Sequence, residues 1–146
     1  QKLNMFALMA ARVGCKRNPM SEELRGAYCA PYDTVVDRIA TLRFVQDIPL
    51  SPGDSGYDLV SEVENGLDRF ADLPMTICWG LKDFVFDKHF LKEWQRRFPN
   101  AEVHAFADCG HYILEDASDE VIPIIEQFLA ANPLDPPVAA SPVEKA

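Results

Sequence analysis

The sequence is short of basic residues, with 14 Lys and Arg against 23 Asp and Glu and a formal net charge of -9. The basic residues are scattered and form no stripe interleaved with aromatics, which argues against a nucleic-acid partner. Attraction to an anionic membrane surface is disfavoured for the same reason. No apolar run approaches the roughly 20 residues that a membrane span requires. Cysteine is also sparse. Cys15, Cys29, Cys78 and Cys109 form no C-x-x-C pair and no pattern with the three histidines that suits zinc, so no metal site is expected. Cys78 lies in an apolar run and Cys109 precedes a glycine, which reads as reduced, mostly buried thiols in a cytoplasmic protein. A Cys15–Cys29 disulfide is the alternative.

What is present is enough for one globular domain: 146 residues, 48% of them hydrophobic and 10% aromatic. The apolar opening, Gln1 to Val13 with Lys2 near its start, faintly resembles a signal peptide. It contains Asn4 and has neither a clear small-residue cleavage site nor an initiating Met. Starting at Gln1 points to a processed, trimmed or incomplete chain.

The first half reads as helical. Residues 1–14 are apolar nearly all round, which predicts a helix buried or packed on a partner surface. Asn18-Pro19 breaks it, Ser21 is placed to cap a short helix through Tyr28, and Pro31 ends that one. Asp33 is placed to cap a third, with Val35, Val36, Ile39, Leu42, Phe44 and Val45 as its apolar stripe. Pro49 to Gly56 is a loop by composition. A fourth helix follows, in which Leu59, Val63, Leu67 and Phe70 recur at helical spacing.

The second half changes character. Met75-Thr76-Ile77-Cys78-Trp79 is a short apolar run ending at Gly80, the pattern of a strand buried on both faces. A helix over 88–98 should turn Phe90, Leu91, Trp94 and Phe98 inward, and Glu102 to Phe106 reads as a second strand. A last helix runs to about Ala131, with Ile122, Ile125, Phe128 and Leu129 on its inner face. Pro123 either delays its start to near Ile122 or kinks its first turn. Strand, helix, strand, helix implies two parallel strands joined by a right-handed crossover. Two such strands make a poor sheet alone, so further strands are expected upstream. The division predicted is a helical cap region at 1–70, a core portion at 71–131 and a disordered Pro/Ala-rich tail at 132–146.

In doubly wound sheets functional groups collect in loops beyond the carboxyl ends of strands. One such loop carries Asp83, the other His111. If the strands are neighbours, an Asp from one loop can reach a His from the other. The carboxylate then orients the imidazole and stabilises its charged form, leaving the second ring nitrogen as base. Asp87 is the alternative acid, although its place suits a cap for the 88–98 helix. His89 begins a helix and His104 lies in mid-strand, so neither is a site candidate.

Three segments carry a family resemblance: Trp79-Gly80-Leu81-Lys82-Asp83, Phe98-Pro99-Asn100-Ala101 and Ala107-Asp108-Cys109-Gly110-His111-Tyr112. With Phe128-Leu129 near the end, they resemble the C-terminal signature of α/β hydrolases. Ser21-Glu22-Glu23-Leu24, Tyr28-Cys29-Ala30-Pro31-Tyr32, Arg38 and Phe44 resemble the cap of haloalkane dehalogenases, and of the related epoxide hydrolases and β-lactone decarboxylases of olefin biosynthesis. The likeness covers about residues 1–131. It implies an α/β fold, the C-terminal portion of an α/β-hydrolase in which a helical cap precedes a strand-helix-strand-helix unit of the parallel sheet. Asp83 becomes the triad acid and His111 the base. The reaction needs no cofactor and opens carbon–halogen, epoxide or strained lactone bonds through a covalent ester.

Phe44, Val85, Phe86 and Tyr112 are expected to line an apolar pocket for a small hydrophobic substrate. The nucleophile is not in the sequence, for neither Gly-x-Asp-x-Gly nor Gly-x-Ser-x-Gly occurs. Gly53-Asp54-Ser55-Gly56 has the wrong spacing and no strand before it. The expectation is therefore a fragment whose partner is the missing N-terminal half of the fold, inactive and poorly folded alone. The competing readings are a non-catalytic binding or structural protein that retains hydrolase-like loops, and a serine esterase fragment.

Overall fold

The structure, a computed structural model, describes residues 4–133. The tail expectation thus falls almost wholly on 134–146, outside the described residues. Helix α1 (Met5–Val13) and α2 (Glu22–Cys29) pack together, with Ala11, Cys15 and Met20 buried between them. Ser21 starts α2 as its pattern predicts, its hydroxyl accepting from Leu24 N at 3.1 Å. Most of the apolar surface of α1 stays exposed, including Met5, Phe6, Leu8 and Met9.

Helix α3 (Ile39–Gln46) begins five residues later than a helix capped by Asp33 would, with Arg38 in the N-cap position. A 3₁₀ turn over Ala30–Tyr32 takes the chain past Pro31 instead. Thr34 and Asp37 then close a local turn, Thr34 Oγ1 donating to Asp37 Oδ2 at 2.6 Å. Val35 and Val36 are consequently exposed rather than part of a helical stripe. Gly53 and Gly56 adopt positive φ in the loop before α4 (Tyr57–Asn65), which tightens into 3₁₀ geometry over Leu67–Phe70.

Strands β1 (Thr76–Gly80) and β2 (Glu102–Phe106) are parallel, in register from Thr76 opposite Glu102 to Gly80 opposite Phe106. Helix α5 (Lys88–Arg97) connects them, and Asp87 caps it by accepting from His89 N at 2.8 Å. Leu91 and Phe98 are buried as expected, whereas Phe90 and Trp94 remain substantially exposed.

The last helix is broken. A short α6 (Ile113–Asp116) is separated by Ala117, at φ -148, from α7 (Ser118–Ala131). Pro123 lies inside α7, so the helix does not wait for Ile122 to begin. Of the predicted inner-face residues only Phe128 is half-buried, and the rest of the face is shifted. Val121 is buried and Ile124 packs beside it, together with Ala117, Phe106, Cys109, Cys78 and Ile113. Ala117, Val121 and Ile124 follow i, i+4, i+7, which places Ile122, Ile125 and Leu129 toward the outer side, where they are exposed. No helix among the described residues is long and apolar enough to cross a membrane.

Candidate active site

Both strands end at the same edge, and the loops leaving them are tied together by the backbone. Leu81 N donates to Phe106 O at 2.9 Å and Lys82 N to Cys109 O at 2.9 Å. The approach is close enough to require glycine. A Cβ on Gly80 would stand 2.3 Å from Gly110 O, and one on Gly110 would stand 2.2 Å from Gly14 O.

This contact brings Asp83 to His111. Asp83 Oδ1 accepts from Val85 N at 2.7 Å and Phe86 N at 3.0 Å, an Asx turn that fixes the carboxylate. Its Oδ2 lies 2.9 Å from His111 Nδ1, with the Asp83 side chain only 10% exposed. A carboxylate can only accept, so the proton of this pair sits on Nδ1 and Nε2 is left unprotonated in the neutral ring. The Phe84 and Phe86 rings stand 5.9 and 5.8 Å from the imidazole. Trp79 Nε1 donates to Phe86 O at 3.0 Å and holds that loop over the strand end.

A cleft of about 180 Å³ opens here, lined by Cys78, Trp79, Gly80, Asp83, Phe86, Gly110, His111 and Ile113. Of the expected pocket residues, only Phe86 lines it. Val85 contributes its N–H to the Asp83 turn. Tyr112 sets its ring edge-on to Tyr28 at 5.2 Å and to His111 at 5.4 Å. Phe44, on α3, is 80% exposed and does not line the cleft. Asp87 is engaged by His89, and His104 Nε2 lies 3.1 Å from Glu102. Arg38 is buried within the helical region, its Nη1 donating to the carbonyls of Tyr32 and Asp33. The four cysteines are free, and no cluster of metal-binding side chains occurs among the described residues.

Two features escaped the sequence reading. Phe84 flanks the imidazole, and Asp116 is a fully buried carboxylate beneath the His111 loop. Nothing in the sequence separates either from its many chemical equivalents.

Parallel strands with an acid and a histidine on their adjoining carboxyl-end loops define a fold. It is the α/β-hydrolase fold, of which this chain forms a C-terminal portion. The structure is similar to haloalkane dehalogenase DatA from Agrobacterium tumefaciens C58, with TM-score 0.68 and 20% identity over 88% of this chain and 44% of that one. It is also similar to the CarC serine hydrolase involved in carbazole degradation, with TM-score 0.66 and 11% identity over 90% and 48%.

In sequence it is 60% identical over 126 residues to the cis-3-alkyl-4-alkyloxetan-2-one decarboxylase of Shewanella oneidensis, covering 86% of this chain and 40% of the relative. It is 48% identical over 131 residues to the enzyme of that name from Xanthomonas campestris pv. campestris, covering 90% and 43%. The chain thus spans about two fifths of the length of these curated relatives. No family model matches it.

Proposed function

We propose that these residues form the acid–histidine half of the active site of an α/β-hydrolase-fold enzyme acting on a strained β-lactone. Asp83 orients His111 and stabilises its imidazolium, and Nε2 exchanges the proton at the reacting centre. The nucleophile comes from the part of the enzyme outside these residues, in the order nucleophile, acid, histidine. It attacks the ring carbon that bears oxygen and forms a covalent ester, in the manner implied by the dehalogenase resemblance, while the ring C–O bond breaks and frees a carboxylate. As that carboxylate leaves as CO₂, the C–C electron pair forms the alkene and the ester C–O bond breaks, returning the nucleophile. The observation that carries the reading is the 2.9 Å Asp83–His111 contact at the joint strand end. The choice of a lactone over a haloalkane or epoxide is supported by the 60% and 48% identities to oxetanone decarboxylases, against 20% to the dehalogenase. Loss of CO₂ from an oxetan-2-one breaks one C–O and one C–C bond of the ring and leaves an alkene, with no net consumption of water. Phe86 and Ile113 supply apolar wall for the alkyl substituents, and Phe84 stands beside the imidazole.

The test uses the chain completed with the remaining part of the Shewanella relative and a cis-3,4-dialkyl oxetan-2-one as substrate. Alkene formation is expected, falling by about 10³-fold or more in His111→Ala. Turnover that survives His111→Ala would refute the assignment.

A further inference from the structure

Asp116, at the end of α6, is fully buried, yet no cationic side chain meets its carboxylate among the described residues. Arg17, close by in space, turns its guanidinium to Asp108 and Glu120 instead. The backbone satisfies Asp116. Lys16 N donates to both carboxylate oxygens at 2.9 Å, and Arg17 N and Asn18 N donate to Oδ1 at 2.9 Å. Three successive N–H groups converging on one anion make a backbone nest. A further N–H comes from another loop: Gly110 N donates to Oδ2 at 2.6 Å. Asn18 Nδ2 closes the clasp by donating to Asp116 O at 2.6 Å. Burial pushes this carboxyl upward, but the N–H groups of Asn18, Gly110, Lys16 and Arg17 outweigh it and hold Asp116 below the ordinary aspartate range.

Gly110 directly precedes His111. The next N–H, that of His111 itself, donates to Gly14 O at 2.8 Å, on the same segment that forms the nest. The Gly110–His111 backbone is therefore tied to residues 14–18 twice, directly through Gly14 O and indirectly through Asp116, which residues 16–18 hold. We propose that Asp116 is a positioning residue for the His111 base, fixing the Gly110–His111 backbone so that the imidazole meets Asp83 and the cleft together. The inference rests on the reading of His111 as the base. A displacement of about 1 Å at a catalytic group can cost on the order of 10² in rate, and loosening the clasp moves the histidine without touching substrate.

The experiment compares Asp116→Asn in the completed enzyme with and without His111→Ala. Asparagine keeps the side-chain volume and one acceptor oxygen but cannot take all the N–H groups. The expected result is a fall in kcat on the order of 10²-fold with KM nearly unchanged, and no further loss of the residual rate in the His111→Ala background. An unchanged kcat, or an equal loss in both backgrounds, overturns the proposal. Should Asp116→Asn not fold, Asn18→Ala loosens the same clasp and leaves the buried charge in place. A smaller but kcat-selective loss is then expected, and wild-type kcat with a lowered melting temperature overturns the proposal. Turnover that survives His111→Ala alone strikes the catalytic reading of His111 rather than the role of Asp116.

Discussion

His111 Nδ1 and Asp83 Oδ2 lie 2.9 Å apart although 28 residues separate them in the chain. The contact exists because β1 and β2 are parallel neighbours that end in register, Gly80 opposite Phe106. Each residue sits a few positions past its strand end, so pairing the strands pairs the side chains.

Asp83 and Asp87 are separable by substitution. Asp83→Asn retains the shape of the turn but replaces the carboxylate that fixes the imidazole tautomer. In the completed enzyme it is expected to lower kcat by about 10³- to 10⁴-fold. Asp87→Ala removes the N-cap of α5 and is expected to lower the melting temperature with kcat preserved. Steady-state kinetics beside a thermal melt decide between them.

The contact between Gly80 and Gly110 leaves no room for a side chain. Gly80→Ala would place a methyl 2.3 Å from a backbone oxygen that no rotamer change can move. A loss of about 1–3 kcal/mol is expected, measured by denaturant unfolding of the completed enzyme. A neutral substitution would mean that the two loops do not meet as described.

Asp116 makes stability depend on acid. Its folded carboxyl titrates below the unfolded one because four residues donate backbone N–H groups to it. The unfolded chain therefore takes up the proton first as pH falls. The stabilisation is complete above the unfolded aspartate value and is lost on acidification below about pH 4. Asp116→Asn is expected to flatten that acid limb, read from melting temperatures across pH 2–6 (about two units either side of that point).

The thiols should differ in reactivity. Cys109 is wholly buried with its thiol pushed up by burial, and burial with the nearby Asp116 pushes Cys15 up to about 11. Cys29 is less buried. A maleimide reagent near neutral pH is expected to label Cys29 well before Cys15 and Cys109, which react only on unfolding. Mass mapping of the labelled peptides checks the order.

The chain by itself exposes much apolar surface, including Phe6, Phe44, Leu50, Leu59 and Val63. A two-stranded parallel sheet also leaves open edges. The isolated chain is expected to bind a hydrophobic dye and to self-associate, and completing it should suppress both. A monodisperse monomer with a cooperative thermal transition would contradict this expectation.

Local pattern alone determined a good deal. The short apolar run before Gly80 marked the first strand, because a strand buried on both faces needs apolar residues on both. Glu102 to Phe106, set between the Pro99-Asn100 turn and the Gly110-His111 loop, marked the second. The order Asp83 then His111, each just beyond a strand, marked the pair, and Ser21 and Asp87 announced their caps. Only the tertiary structure decided the rest. Thr34 and Asp37 delayed α3 through a turn that competes with helix. Val121, rather than Ile122, faces the core because it follows Ala117 at i+4 on the face packed against Phe106 and Cys109. Asp116 is one acid among 23 Asp and Glu in the sequence. Its place beneath His111 follows from N–H groups about 100 residues upstream, since a buried carboxylate is settled by the donors that folding brings to it, and local composition does not encode those.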